Sequence, residues 1–127
     1  MPITQVKVVT VYVRDQQQAL DFYTGPFGFE LLQDEQMGAM GRWITVAPPG
    51  AREARIMLGD AAAFERSDSV GGFAPCTLEC DEAAATREEL AGRGVEVSDV
   101  EHEYWGTHFY ASDPDGNRYL VREADSA

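Results

Sequence analysis

Three short segments recur at one fixed spacing and indicate that this chain contains an internal duplication. Residues 13–15, 28–31 and 48–50 find counterparts at 79–81, 94–97 and 114–116, each 66 positions later (81 − 15, 94 − 28 and 116 − 50). Matches at a single offset are the mark of a repeated structural unit. A chain of 127 residues has room for one domain, so we expect two small modules that share it.

Each module is predicted to form a strand, a helix and then further strands. Residues 6–13 are rich in β-branched side chains, which favour a strand. Asp15 stands in the N-cap position of the next helix, with Gln18 three residues later, and Gly25 and Pro26 end that helix. The other predicted elements are strands at 29–32, 43–46, 55–58, 73–80, 95–97, 107–112 and 118–122, and a helix at 83–91 capped by Asp81. The modules span 6–59 and 73–123, and the polar segment 60–72 is predicted to link them within a single domain, 1–127.

The charge balance argues against negatively charged partners. The chain has 22 acidic and 10 basic residues, a net charge of −12, and its basic residues form no patch. Nucleic-acid binders and proteins that bind anionic membrane surfaces usually show such a patch, so neither partner is expected. No apolar run reaches the roughly 18–20 residues of a membrane span, and no secretory signal precedes the first module, which predicts a cytoplasmic protein.

The two cysteines are predicted to be free thiols. Cys76 and Cys80 lie four residues apart in a predicted strand, where such residues are about 13 Å apart. A disulfide requires Cα atoms within about 7 Å of each other. Two thiols that form no disulfide fit a reducing cytoplasm.

The order of these motifs resembles the vicinal oxygen chelate superfamily, which includes glyoxalase I, extradiol dioxygenases, fosfomycin-resistance enzymes and bleomycin-binding resistance proteins. The matching stretches are 11–15, 19–29 and the Asp-Pro-Asp-Gly-Asn segment 113–117, so the resemblance extends over nearly the whole chain. It implies an α+β fold in which two βαβββ modules form a curved mixed sheet around a cleft. A homodimer is expected, with the second chain completing that cleft.

The resemblance also implies where metal ligands would stand, on the first and last strands of each module. The first-strand ligand lies seven residues before the capping Asp, which corresponds to Val8 and Ala74 here. The last-strand positions are Leu120 and, in the first module, Ala54 or Ile56. None of these side chains offers the imidazole, carboxylate, amide or thiolate donors that divalent metals require. We therefore expect no metal and no cofactor, and the sequence identifies no catalytic residue.

Strand alternation predicts which residues face the cleft. The former ligand positions are taken as facing inward. Phe109 is paired opposite Leu120 across the 113–117 turn, which leaves His108 on the helix side or at a sheet edge. The resemblance adds Trp105, from an aromatic–Gly pair at the cleft rim, as a lid or stacking residue or else a structural plug. The predicted ligand-binding residues are Thr10, Tyr12, Trp43, Thr45, Cys76, Leu78, Trp105, Phe109, Arg118 and Arg122. This composition suits a small-molecule pocket, but also ordinary packing between modules or chains, and both stay open.

Three functions agree with this sequence. The first is a metal-free small-molecule binding protein of the bleomycin-resistance type, whose ligand is aromatic or, as the net charge of −12 favours, cationic. The second is an enzyme of the same superfamily, a lyase, isomerase or dioxygenase, with a non-standard metal site or a metal-free acid–base mechanism. The residues to suspect for it are Glu79, Glu101, His102, His108 and Glu123. The third is an interaction module whose cleft is closed by its partner chain.

Overall fold

The computed structural model describes residues 2–51 and 54–125. In chain order the elements are β1 (Val8–Val13), α1 (Gln16–Thr24), β2 (Glu30–Gln36), β3 (Arg42–Ala47), β4 (Arg55–Asp60), β5 (Gly72–Cys80), α2 (Ala83–Gly92), β6 (Glu96–Val97), β7 (Glu101–Glu103), β8 (Gly106–Ser112) and β9 (Asn117–Glu123). Short 3-10 turns lie at Gly38–Met40 and Ser67–Ser69. These elements confirm the predicted α+β class.

The chain folds into two compact units, and the boundary between them falls between Val70 and Gly71. Each unit contains a mixed sheet and an α-helix. No helix in the described ranges is long and apolar enough to cross a membrane. The module boundaries 6–59 and 73–123, joined by 60–72 within one domain, remain a prediction.

The sheet of the first unit has the strand order β1-β4-β3-β2, in which β1 is parallel to β4 and the other neighbours are antiparallel. Helix α1 packs on one face of this sheet. Alternate strand residues and the inner side of the helix form a core that is almost entirely buried: Val11, Val13, Ala19, Leu20, Tyr23, Ile44, Val46, Ile56 and Leu58. Removal of this apolar surface from water stabilises the unit. The helix-covered side of β1 and β3 is therefore the side opposite the predicted cleft residues of these strands.

Helix α1 begins and ends where the sequence predicts. The Asp15 side chain accepts a hydrogen bond from the Gln18 N–H at 3.1 Å, which satisfies one of the free donors of the first turn. At the other end, the Gly25 N–H donates to the Asp21 carbonyl at 3.0 Å. The predicted cap and stop signals both hold, because they depend only on neighbours in sequence.

A buried glutamine joins α1 to the sheet. Gln16 Nε2 donates to the carbonyls of Arg42 and Leu58 at 2.7 and 2.8 Å, and its Oε1 accepts from the Arg42 N–H at 3.0 Å. Buried peptide groups require such partners. Gln16 therefore fixes the start of the helix over β3 and β4.

The sheet of the second unit has the order β5-β9-β8-β6, and β7 also pairs with β8. Strand β5 is parallel to β9, and the other pairs are antiparallel. Helix α2 packs on this sheet, and the shared core contains Ala83, Leu90, Phe109, Ala111, Tyr119 and Val121. Residues 101–103, which are not among the predicted strands, form the short strand β7.

The start of α2 corrects the predicted cap. The N-cap residue is Glu82, one position after Asp81, and its own side chain forms no capping bond. The first turn is satisfied from elsewhere, because Glu123 Oε1 accepts a hydrogen bond from the Ala83 N–H at 2.8 Å. The two helices thus start 67 residues apart (82 − 15), one more than the offset of the sequence matches.

The Asp-Pro-Asp-Gly-Asn segment forms a tight turn between β8 and β9. Asp113 Oδ1 accepts hydrogen bonds from the N–H groups of Asp115 and Asn117, each at 2.9 Å. Asp113 Oδ2 accepts from the Asn117 amide at 2.8 Å, and Asn117 Oδ1 accepts from the Gly71 N–H at 2.9 Å. Asp113 and Asn117 are both buried, so this motif has a structural role in the second unit.

Candidate functional site

The face of the first sheet that points away from α1 carries four predicted binding residues. Thr10 lies opposite Met57, which lies opposite Thr45, so these three side chains share one face. Tyr12 and Trp43 stand two positions along the same strands and lie on it as well. The register agrees with the predicted facing of these four residues, and their contact with a ligand remains a prediction.

Polar groups on this face bond to one another. Gln33 Oε1 accepts hydrogen bonds from Trp43 Nε1 at 3.0 Å and from Thr45 Oγ1 at 3.3 Å. Thr45 is 0% exposed, whereas Trp43 and Tyr12 are half-buried. The two aromatic side chains therefore offer surface to a ligand, whereas Thr45 does not.

The pairing of β8 with β9 shows that the predicted facing of Phe109 is wrong. Phe109 lies opposite Val121, and Tyr110 lies opposite Leu120. Because a shift of one residue exchanges the two faces of a strand, Phe109 points into the helix-covered core, with 0% exposure. Tyr110 takes the position predicted for Phe109. His108, predicted on the helix side or at an edge, also lies on the face of Leu120.

Turn length explains this error. The predicted pairing of Phe109 with Leu120 makes the loop one residue longer than it is. In the structure the Asp113 N–H donates to the Asn117 carbonyl at 2.9 Å, which leaves a three-residue loop and sets Ser112 opposite Arg118. Gly116 has φ 83°, the left-handed conformation typical of the last residue in such loops. The glycine at this position was the signal that could have given the correct register.

The facing of Cys76 and Leu78 is also corrected. Leu78 lies opposite Val121, which is 4% exposed on the helix-covered face. Cys76 precedes Leu78 by two residues, and burial alternates along β5 so that both lie on the more buried side. They point away from the face that carries Arg118 and Arg122. The facing of β5 was predicted by counting back from Asp81 as the cap of α2. Because the cap is Glu82, one residue later, the predicted facing is exchanged.

The environment of both thiols favours the neutral form. Burial raises the pKa of the Cys76 thiol. Burial also raises the pKa of the Cys80 thiol. A hydrogen bond with Thr86 opposes this rise in the pKa in part, and the neighbouring carboxylates of Glu123, Asp81 and Glu79 add to it. A thiol is a nucleophile only as thiolate, so neither cysteine is activated for covalent chemistry at neutral pH.

We expect alkylation of both cysteines by iodoacetamide to reach half of its maximal rate at a higher pH than in the urea-unfolded chain. The raised pKa delays thiolate formation as pH increases, whereas restricted access would lower the maximal rate without moving the midpoint. Mass spectrometry of timed samples between pH 7 and 10 measures both quantities. A midpoint in the folded protein at or below that of the unfolded control would contradict the assignment.

One cross-strand row on the open face of the second sheet combines charge and aromatic surface. Glu96 lies opposite Ser112, Ser112 opposite Arg118, and Arg118 opposite Phe73. A cavity of about 290 Å³ lies over this row, and its lining includes Ser98 and Tyr110 in addition to Glu96, Ser112 and Arg118. The sequence prediction contained Arg118 but missed the other members. The β8–β9 register error placed Ser112 and Tyr110 on the helix-covered face, and the wrong facing of β5 did the same to Phe73.

Arg118 is held by two aromatic rings. Its guanidinium carbon lies 4.2 Å from the ring centroid of Tyr110 and 5.3 Å from that of Phe73. The two rings lie 5.9 Å apart, and Phe73 is 71% exposed. Cation–π contacts of this kind orient a guanidinium while leaving its N–H groups available. Within the described residues Arg118 forms no ion pair, unlike Arg42, which is bonded to Asp34.

Trp105, His108 and Arg122 form a second cluster in this unit. The Trp105 ring stacks on His108 with 4.3 Å between centroids, and its carbonyl accepts bonds from Arg122 Nε and Nη2 at 3.1 and 2.8 Å. A Cβ at Gly106 would lie 2.7 Å from Arg122 Nε, so this close approach requires glycine. His108 is 2% exposed, and its Nδ1 has no hydrogen-bond partner among the described residues.

The residues suspected of acid–base chemistry are spread over several strands. Glu101 lies opposite His108 in the β7–β8 pair, and Glu79 lies opposite Arg122 in the β5–β9 pair. His102 is exposed, with its Nδ1 3.1 Å from Thr107 Oγ1. Glu123 has a structural task, since it accepts the hydrogen bond from the start of α2.

The positions implied for metal ligands do not fit a divalent cation. In the observed register Leu120 of the second unit corresponds to Met57 of the first unit. Met57 lies opposite Thr10, three residues before the end of β1, and Leu120 lies opposite Thr77, three residues before the end of β5. The residue seven before the α2 cap is Pro75 rather than Ala74. With Val8, these side chains supply no nitrogen, oxygen or thiolate donor. In the described ranges no three His, Cys, Asp or Glu side chains form a group that could hold a metal ion.

Comparison with known proteins gives consistent matches over the full chain. Uncharacterized protein YetH of Bacillus subtilis (strain 168) is 36% identical over 122 residues, 95% of this chain and 99% of that protein. A member of the Glyoxalase/bleomycin resistance protein/dioxygenase superfamily from Sphaerobacter thermophilus DSM 20745 superposes with a TM-score of 0.89 at 33% identity, covering 98% of this chain and 100% of that one. TnmS3, an antibiotic binding protein from Streptomyces sp. CB03234, gives 0.82 at 37% identity, with 98% and 99% covered.

The family model for the Glyoxalase/Bleomycin resistance protein/Dioxygenase superfamily matches residues 5–120. That range includes α1 and α2 and all but the end of β9. The chain therefore belongs to the Glyoxalase/Bleomycin resistance protein/Dioxygenase superfamily.

Proposed function

We propose that this protein is a cytoplasmic homodimer that binds a small aromatic or cationic molecule, without a metal at the superfamily's usual ligand positions. The observation that carries the proposal is the open face of the second unit, where Tyr110 and Arg118 line a cavity of about 290 Å³ and Phe73 packs against Arg118. A volume of this size is at the lower end of the range for small-molecule pockets. The likeness to TnmS3, itself an antibiotic binding protein, supports the same conclusion.

Exposed ring surface supports an aromatic ligand. Phe73 is 71% exposed and Trp105 is 37% exposed, although large apolar side chains normally gain by burial. Stacking of a planar ligand on such rings contributes about 0.5–1.5 kcal/mol per ring beyond area burial. The net charge of −12 favours ligands without net negative charge, most strongly at low ionic strength.

We expect metal-free bleomycin, a cationic aromatic probe, to quench the tryptophan fluorescence of the purified protein saturably and to raise its Tm. A ligand that binds only the folded state adds about 2.7 kcal/mol of stability at 100 times its Kd. Ethidium and acridine orange serve as further planar cations in the same assay. Tyr110→Ala should weaken binding, whereas Tyr104→Ala is the matched control because Tyr104 is 99% exposed and lies outside the described cavity.

Two outcomes contradict this proposal. Absence of saturable quenching and of any Tm shift with all three probes would leave no support for small-molecule binding. Retention of about one Mn²⁺, Fe²⁺, Ni²⁺ or Zn²⁺ per chain, together with a raised Tm, would contradict the metal-free assignment. That second result would favour the alternative, an enzyme of the superfamily with a non-standard metal site.

A further inference from the structure

The row formed by Glu96, Ser112 and Arg118 has opposite charges at its two ends. The three residues belong to neighbouring strands β6, β8 and β9 and share one face of the sheet. Neighbouring strands are about 4.8 Å apart, so the backbones of Glu96 and Arg118 are separated by roughly 10 Å. Both side chains line the same cavity, yet they form no ion pair with each other in the described structure.

The chemistry at each end of the row is selective. A guanidinium matches a carboxylate bidentately, and Arg118 is already oriented by the Tyr110 and Phe73 rings. The Glu96 carboxylate at the other end suits an ammonium group. Two charge-assisted hydrogen bonds of about 2.8 Å, with a compact dipolar group between them, span a distance comparable with the roughly 10 Å between the two backbones.

We propose that this row binds the ammonium and carboxylate groups of a small zwitterionic ligand, such as an aromatic α-amino acid or a larger molecule that ends in one. Phe73 and Tyr110 contact the aromatic part. The inference rests on the proposed small-molecule binding function and specifies its ligand class. A simple anion is repelled by Glu96 and by the net charge of −12, and a simple cation is repelled by Arg118. A zwitterion satisfies both ends of the row and carries no net charge.

The test compares three ligands that differ by one charged group. L-Phenylalanine carries both groups, phenethylamine lacks the carboxylate, and 3-phenylpropionate lacks the ammonium. Titration of the full-length protein, followed by chemical-shift changes in NMR spectra, should give an affinity for L-phenylalanine about tenfold or more above that of either analogue, since each lost charge-assisted contact is worth roughly one order of magnitude. Equal affinities for L-phenylalanine and either analogue would overturn the proposal.

Variants assign each charge to its partner. With Glu96→Gln, L-phenylalanine should lose about tenfold in affinity, while 3-phenylpropionate should bind no more weakly because the repelling carboxylate is gone. With Arg118→Gln, L-phenylalanine should lose a similar factor, while phenethylamine should bind no more weakly because the repelling guanidinium is gone. Arg93→Gln is the matched control, because Arg93 lies at the C-terminal end of α2 and bonds to Glu89. A uniform loss for all three ligands in Glu96→Gln and Arg118→Gln would indicate disturbed packing and overturn the assignment.

The failure of this inference is distinguishable from failure of the proposed function. If bleomycin or another planar cation binds but L-phenylalanine shows no preference over its analogues, the zwitterion assignment is wrong and small-molecule binding stands. If neither the planar cations nor the three phenyl ligands bind, both proposals fail together. Circular dichroism of each variant confirms that the fold is retained before the titrations are compared.

Discussion

Replacement of Phe109 by alanine should destabilise the protein by about 3–5 kcal/mol, the usual cost of removing a fully buried phenylalanine side chain. Phe109 is 0% exposed and shares the helix-covered face of its sheet with Ala111, Tyr119 and Val121. The truncation removes apolar contacts and leaves a cavity that rigid strands cannot close. Urea denaturation followed by circular dichroism measures the change in the free energy of unfolding.

Tyr110→Ala is the informative comparison, because Tyr110 is the next residue on β8 and faces the opposite way. Its side chain is only half-buried, so we expect a smaller loss of stability, about 1 kcal/mol, together with weaker ligand binding. Phe109→Ala should leave the affinity of the folded protein for bleomycin almost unchanged. The reverse pattern, in which Phe109→Ala abolishes binding at little cost in stability, would show that the register of β8 and β9 is wrong.

Replacement of Asp113 by alanine should cost about 2–4 kcal/mol, since it leaves several buried donors without acceptors. The carboxylate accepts hydrogen bonds from the backbone N–H groups of Asp115 and Asn117 and from the Asn117 side-chain amide. Asp113 is 4% exposed, so water cannot readily replace these bonds. The same denaturation measurement applies, with hydrogen exchange of the Asn117 N–H as a local probe.

Asp99→Ala controls for the loss of one negative charge. Asp99 is exposed, and its ion pair with Arg87 is long, at 3.8 Å, so its removal should change the free energy of unfolding by less than about 0.5 kcal/mol. If Asp113→Ala were equally mild, the turn would be held by its backbone alone. In that case the interpretation of the Asp113 carboxylate as the organiser of the β8–β9 turn would have to be abandoned.

The first unit was predictable because its signals agree with one another. The β-branched run at Val8–Val13 and the Asp15 cap involve residues close in sequence. Their alternation then places Thr10 and Tyr12 on one face and Val11 and Val13 in the core. When the two faces of a strand differ in polarity, its sequence alone predicts which face is buried, even if the partner strand is unknown.

The elements of the second unit were predictable apart from β7, but its faces were not. The sequence repeat aligned Asp81 with Asp15, yet α2 begins one residue later, and this shift turned Cys76 and Leu78 toward the helix. The alternation along β5 is weak, because it is between exposed and half-buried residues and none of them is fully buried. Phe73 was missed because of this shift, and Tyr110 was missed because of the one-residue error in the β8–β9 turn.

The sequence by itself determined both helices, every strand except β7, the α1 cap and the Asp113–Asn117 turn, because each depends on residues near one another in the chain. The order of these motifs along the chain determined the superfamily. Only the tertiary structure decided which side chains share a face in the second unit and that Glu96, Ser112, Arg118 and Phe73 form one row. That row is assembled by hydrogen bonding across four strands, of which β5 and β9 are far apart in the sequence. Because strand side chains repeat every two residues, an error of one residue in a turn or bulge exchanges the core with the candidate site.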